Sequence, residues 1–247
     1  MRRAFRFDWC VRLTMKLAIM QPYFLPHLGY YQLIAAVDKF VVYDDVNFIK
    51  GGWINRNRIL LRGRAHFITT PLLGASPNRK INEIRLAAGS SWQEKMLKTI
   101  AQAYRCAPEF ESVFPLLRAV IKFPADRLAD YLFHSLVLLK QFLQLKTELL
   151  SSSGRYENEN LRAEERVLDI CRQENTDVYI NAPGGRTLYD AAIFRARGVK
   201  LRFLETEPFA YPQSGESFCP SLSLVDVLMF NSRAEVHSLL GRYSLRA

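Results

Sequence analysis

The alternation of apolar and polar positions divides the chain into strand and helix segments. Lys16–Met20 is a short apolar run stopped by Gln21-Pro22, and Lys39–Tyr43 is β-branched and aromatic, as a buried strand requires. Between them, Pro22 and Pro26 bracket a loop, since proline lacks a backbone donor and restrains its predecessor. Gly29 then opens an apolar-periodic segment, Tyr30–Val37, long enough for a short helix. Strand, helix and strand at this spacing predict a βαβ unit, hence a parallel sheet with its ligand crevice beyond the C-terminal strand ends.

Further along, Arg58–Leu61 and Ala65–Thr70 flank a turn at Arg62-Gly63-Arg64 and predict a hairpin. Lys80–Leu86 alternates like a strand. Helices are predicted over Trp92–Tyr104, Glu109–Lys122 and Asp126–Leu145, a helical middle third expected to act as a packing layer. Thr147–Ser151 predicts a strand, Leu161–Glu174 a helix and Asp177–Ile180 a second parallel strand. After it, Asn181-Ala182-Pro183-Gly184-Gly185-Arg186 forms a turn before a helix starting at Thr187. Val199–Leu204 predicts another strand, and Ser221–Phe230 a terminal helix capped by serine. The fold class is therefore α/β: a parallel-sheet, Rossmann-like core with a helical middle segment and a small β-hairpin. No linker or repeat splits residues 15–247, which are expected to form one domain. Residues 1–14, with four arginines against one aspartate, are expected to be a disordered basic extension preceding a natural start at Met15.

Charge and cysteine usage narrow the function classes. The formal net charge is +10, which favours an anionic partner. The basic residues are spread out, and the motif loops mix amides with carboxylates. A small anionic ligand therefore suits them better than nucleic acid. Four scattered cysteines with no C-x-x-C pair indicate reduced thiols and no zinc site. Cys219 beside Pro220 reads as an incidental thiol. The most apolar segment, Tyr131–Leu145, is too short and polar to span a bilayer.

Four polar clusters carry candidate chemistry. The first is the loop Gln21 to Tyr30, where His27 at a helix start can bind phosphate or move a proton. His27-Leu28-Gly29-Tyr30 is similar to the His-x-Gly-His signature of nucleotidyl-transferring enzymes, with tyrosine replacing the second histidine. The second is Asp44-Asp45, able to hold Mg²⁺, bind a hydroxyl or act as a base. Asp45 could instead cap a turn or pair with Arg56 or Arg58. The third is Lys50-Gly51-Gly52-Trp53-Ile54-Asn55-Arg56-Asn57-Arg58, combining phosphate-seeking cations, a stacking face and amides. The fourth is Asn181, Gly184 and Gly185 with Asp190, where backbone N–H groups can face an anion. The chain has no G-x-S-x-G, H-E-x-x-H, G-x-G-x-x-G or P-loop motif.

MQPYFLPHLGYYQLI, VDKFVVYDDVNFIKGGWINRNRI, YINAPGGRTLYD and CPSLSLVDVLMF together resemble the WbqC-like protein family, in the family's order over residues 15–230. The resemblance implies a cytoplasmic enzyme of O-antigen-type surface-polysaccharide or specialised-metabolite synthesis. Combined with the polar clusters, the expected activity is acyl or aminoacyl transfer to an amino group of a nucleotide-linked sugar. His27, Asp44 or Asp45 would take the proton, Lys50, Arg56 and Arg58 would hold phosphates, and Gly184-Gly185 would steady developing negative charge. The expected cofactors are Mg²⁺ or an acyl thioester donor, with an acyl-carrier protein as a partner. Nucleotidyl transfer or ATP-dependent ligation, and non-catalytic polyanion binding, are the alternatives.

Overall fold

The computed structural model describes residues 14–215 and 217–247. Apart from Thr14, the expectation for residues 1–14 lies outside the described residues. Six strands form the central sheet: β1 (Lys16–Met20), β2 (Lys39–Val42), β7 (Glu148–Leu150), β8 (Val178–Asn181), β9 (Lys200–Thr206) and β10 (Tyr243–Arg246). Their order is β10-β9-β8-β1-β2-β7, parallel throughout except for β10 against β9. Leu17 pairs with Lys39 on one side and Tyr179 on the other, so β1 is central.

Both sheet faces are buried, which explains why the strands read as continuous apolar runs. Ala18, Phe40, Val42, Ile180 and Leu204 pack into one core. With them lie α1 (Leu28–Ala35), α2 (Ser91–Tyr104), α3 (Phe110–Ile121), α4 (Leu128–Phe142), α7 (Leu224–Phe230) and α8 (Arg233–Leu240). Leu17, Ile19, Val41, Tyr179 and Phe203 point the other way, toward α5 (Ala163–Gln173) and α6 (Ala191–Ala196). The alternation within β1 is the period-two geometry of a strand covered on both faces. Among the described residues, no helix is long and apolar enough to cross a membrane.

The hairpin consists of β3 (Arg56–Leu61) and β4 (Arg64–Thr69), with Asn57 opposite Ile68. Lys80–Leu86 differs from its predicted strand. The Lys80 N–H donates to the Glu83 carboxylate at 3.1 Å, and the Asn82 N–H donates to the Asp44 carbonyl at 3.0 Å. These bonds curl Ile81–Glu83 into a tight turn and leave only β6 (Arg85–Leu86) to pair with β5 (Leu72–Leu73). The helix expected at Thr187 begins instead at Ala191, because Asp190 caps it through the Ala192 N–H at 2.7 Å. Similarly, α7 starts after Ser223, and Phe230 does not end the secondary structure. Ser232 and Glu235 form a capping box that opens α8.

The loop between β1 and α1 is clamped from several sides. Leu25 sits in the left-handed region at φ 43° and is fully buried. Its carbonyl accepts from Asn57 Nδ2 at 2.9 Å and from Ser223 Oγ at 2.6 Å. Asn57 Nδ2 also donates to the Phe24 carbonyl at 3.1 Å, while the Leu224 N–H reaches the Pro26 carbonyl at 2.9 Å. Asn57→Ala should destabilise the fold by about 1–3 kcal/mol, since it strands the buried Phe24 carbonyl and weakens the hold on Leu25. Urea denaturation of both proteins checks this, and an unchanged midpoint would refute the role of the clamp.

Candidate functional site

The β1–β2 connection runs to one side of β1 and β8 lies on the other, so the chain reverses its direction across the sheet between β1 and β8. Loops leaving these two strands splay apart there, and ligand crevices of open α/β sheets form at such points. A cavity of about 570 Å³ occupies this position. Gln21, Tyr23 and His27 line it from the loop after β1, Asn181, Gly184 and Gly185 from the loop after β8, and Thr206 from the end of β9. Trp53, Ile49 and Leu188 stand at its exposed rim.

His27 caps α1. Its Nδ1 accepts the Gly29 N–H at 3.0 Å, which places the proton of the neutral ring on Nε2. Desolvation by the surrounding wall holds the imidazole below its ordinary pKa, although the residue as a whole is exposed. The helix N-terminus adds to this preference for the neutral form. Gly29 is required: a Cβ there would lie 2.8 Å from both His27 Cε1 and Thr206 Oγ1. Thr206 Oγ1 in turn donates to the buried Gln32 at 2.6 Å. Tyr30 is buried beneath the loop and donates its hydroxyl to the Gln21 carbonyl at 2.9 Å.

On the β8 side, Asn181 Oδ1 accepts the Ala182 N–H at 2.8 Å, leaving its amide nitrogen against Gly185. A Cβ on Gly185 would come within 2.4 Å of that nitrogen, so glycine is needed for close approach rather than for a special φ. The Gly185 N–H is committed to the Ala182 carbonyl at 3.0 Å. Asp190 lies outside the cavity lining, capping α6.

The Lys50–Arg58 segment is mostly engaged in holding itself. Arg56 donates to the Gly51 and Gly52 carbonyls and lies over Phe67. Asn55 binds the Thr70 carbonyl at 2.9 Å, and Asn57 belongs to the loop clamp. Arg58 donates to the Ser221 carbonyl at 3.1 Å with its guanidinium 5.4 Å from the Trp53 ring. Trp53 stacks on Phe67 and lines the cavity, while Lys50 is exposed nearby in sequence and outside the lining.

Asp44 and Asp45 are buried beyond the end of β2 and line none of this cavity. Asp44 Oδ1 accepts from the Ser152 hydroxyl at 2.7 Å and the Ser153 N–H at 3.1 Å, and burial pushes its carboxyl above the usual range. Asp45 accepts from the Ser153 hydroxyl and forms an ion pair with Arg166 rather than with Arg56 or Arg58. Arg166 also donates to Asn158 at 3.0 Å and covers the Tyr43 ring. Hydroxyl, backbone N–H and guanidinium donors engage this carboxylate pair, and the Arg166 guanidinium supplies the positive charge that Asp45 faces.

Residues 21–238 match the WbqC-like protein family. The chain belongs to that family. It is also 28% identical, over 91% of its length and 97% of the relative's, to the uncharacterized protein Rv1507c of Mycobacterium tuberculosis. No solved structure matches the chain. Within this WbqC-like protein, Thr206, Tyr23 and Arg166 join the site or its support without a recognised sequence signal. Tyr23 lies inside the Gln21–Tyr30 loop as one aromatic among several. Arg166 and Thr206 sat among ordinary helix and strand residues.

Two predictions follow from these electrostatics. Arg166→Met should destabilise by about 3–5 kcal/mol because it leaves Asp45 buried and uncompensated, and adding Asp45→Asn should recover much of that loss. Chemical denaturation of the single and double variants measures it; equal losses would refute the pairing. For His27 the folded pKa is depressed below the unfolded value. Its effect on stability is thus absent at neutral pH and becomes unfavourable as pH falls below the unfolded pKa of about 6.5. His27→Asn keeps a capping acceptor and should flatten the stability decline between neutral and mildly acidic pH; parallel slopes would contradict this.

Proposed function

We propose that the protein transfers an acyl or aminoacyl group from a thioester to the amino group of a nucleotide-linked sugar, in surface-polysaccharide or related biosynthesis. The observation that carries this reading is the chemistry of the crevice wall. Among the described residues it holds no lysine, arginine, aspartate or glutamate, and its one imidazole is His27. Phosphoryl and nucleotidyl transfer depend on cationic clamps around the reacting phosphorus. A carbonyl addition needs hydrogen-bond donors for one developing oxyanion, and a neutral crevice strengthens such bonds.

On this reading His27 acts through Nε2–H as a donor to the carbonyl oxygen, since its Nδ1 is occupied by Gly29. The Asn181 amide supplies a second donor from the opposite loop. The amine nitrogen attacks the carbonyl carbon, the C–N bond forms, and the C–S bond breaks as the oxyanion collapses. The amine's surplus proton ends on the departing sulfur, giving an amide and a thiol. Lys50, Arg58 and the Trp53 face, at or near the rim, receive the nucleotide. Asp44 and Asp45 are positioning residues in this scheme: their network fixes the end of β2 behind Tyr43. Family membership supports the biosynthetic setting, and a carrier-protein thioester is as acceptable a donor as coenzyme A.

The test pairs binding with turnover. Nucleotide amino sugars and acyl-coenzyme A should each raise the melting temperature, by roughly 2.7 kcal/mol of stabilisation at a hundred times Kd. Together they should yield the N-acyl sugar by mass spectrometry. His27→Asn should keep the binding shifts and lose about a hundredfold in turnover. ATP–pyrophosphate exchange without amide formation would replace this reading with adenylyl transfer.

A further inference from the structure

Outside the crevice, the densest unassigned charge surrounds a second cavity of about 410 Å³, walled by Arg79, Lys80, Arg85 and Arg127. Arg85 and Arg127 face one another across an isolated antiparallel bridge, which carries both side chains to the same side. Like charges placed directly opposite repel. Backbone bonds nevertheless fix this arrangement, with the Leu86 N–H on the Asp126 carbonyl and the Leu128 N–H on the Ile84 carbonyl, each at 2.9 Å. Arg79 is oriented by the Glu83 carbonyl, to which its Nη2 donates at 2.8 Å.

Glu83 and Glu159 line the cavity as well, so its four cations exceed its two carboxylates by two charges. Glu159 pairs with Lys80, and Glu83 accepts the Lys80 backbone N–H. Asp126 lies 3.3 Å from Arg85, but the two side chains are 68% and 62% exposed, so that pair is weak and exchangeable. Among the described residues, neither Arg79 nor Arg127 has a carboxylate partner within salt-bridge distance. Among the described residues no aromatic ring lines the cavity, and Asn82 adds an amide.

We propose that this cavity is an anion site for a phosphate or diphosphate group, read by charge and without a base-stacking surface. Arginines converging from separate segments suit the oxygens of such a group. The cavity adjoins the crevice through the end of β2: Tyr43 lines the crevice, and the carbonyl of the next residue, Asp44, accepts the Asn82 N–H. Glu159 follows Asn158, which binds Arg166 of the buried network. This inference stands apart from the acyl-transfer reading, since it concerns different residues and needs no reaction.

Isothermal titration of the full chain with sodium pyrophosphate at low salt tests it. Saturable binding is expected, weakened by about tenfold or more in Arg127→Glu and in Arg85→Glu. Arg195→Glu, on α6, makes the same charge change elsewhere and should leave binding intact. Uridine diphosphate should bind like pyrophosphate, and uridine should not bind at this site. Circular dichroism confirms that each variant is folded. Absence of saturable binding up to about 10 mM would overturn the proposal. So would equal weakening by Arg195→Glu, or pyrophosphate binding that survives both cavity substitutions.

Discussion

The carbonyl of Leu25 is the point on which the crevice depends. A buried, non-glycine residue in the left-handed region is unfavourable by about 1–2 kcal/mol, so the surrounding structure must enforce it. Here Asn57 from the hairpin and Ser223 from the start of α7 converge on one oxygen. The resulting kink turns the chain from the end of β1 into α1 and sets His27 at the helix N-terminus. Were the loop to relax, the imidazole would lose its place over Gly29 and the crevice would lose one wall.

Two kinds of polar group thus serve different ends. The crevice wall is uncharged at neutral pH and is built largely from the loops that end β1 and β8. Behind it, Asp44, Asp45 and Arg166 form a charged network enclosed by protein. Removing charges from water is costly, and such a pair persists only with near-complete hydrogen bonding. Ser152, Ser153 and Asn158 provide that bonding, and in doing so join β7, the following turn and α5 to the end of β2.

Much of the fold was legible because it depends on local pattern. Strands buried on both faces read as uninterrupted apolar runs, and β1, β2, β7, β8 and β9 all lie where those runs are. The departures fall where a distant partner or a stronger local cap overrides the periodic pattern. Lys80–Leu86 alternates correctly for a strand, yet its Asn82 N–H is taken by Asp44. At 187–190 the turn continues because the stronger cap is Asp190. The final strand, β10, was missed, though the Ser232-x-x-Glu235 box before α8 was available to find. The candidate site was legible in part: Gln21, His27, Tyr30, Trp53, Asn181, Gly184 and Gly185 line one cavity. The loop Lys50–Arg58 was readable as polar, but nothing local reveals that Arg56 and Asn57 satisfy carbonyls of their own fold. Asp45 likewise gives no local sign that its partner lies 121 residues away.

The anchoring of Leu25 also has a consequence in time. Its two donors come from opposite ends of the chain's synthesis: Asn57 follows it closely, whereas Ser223 emerges 198 residues later. The wall contributed by Thr206 and its partner Gln32 is similarly late, because Gln32 is held by carbonyls of Leu239 and Arg242. Contacts so far apart in sequence close slowly and late. The βαβ unit of β1, α1 and β2 is local in sequence, whereas the crevice beside it waits on residues that fold back from beyond position 200.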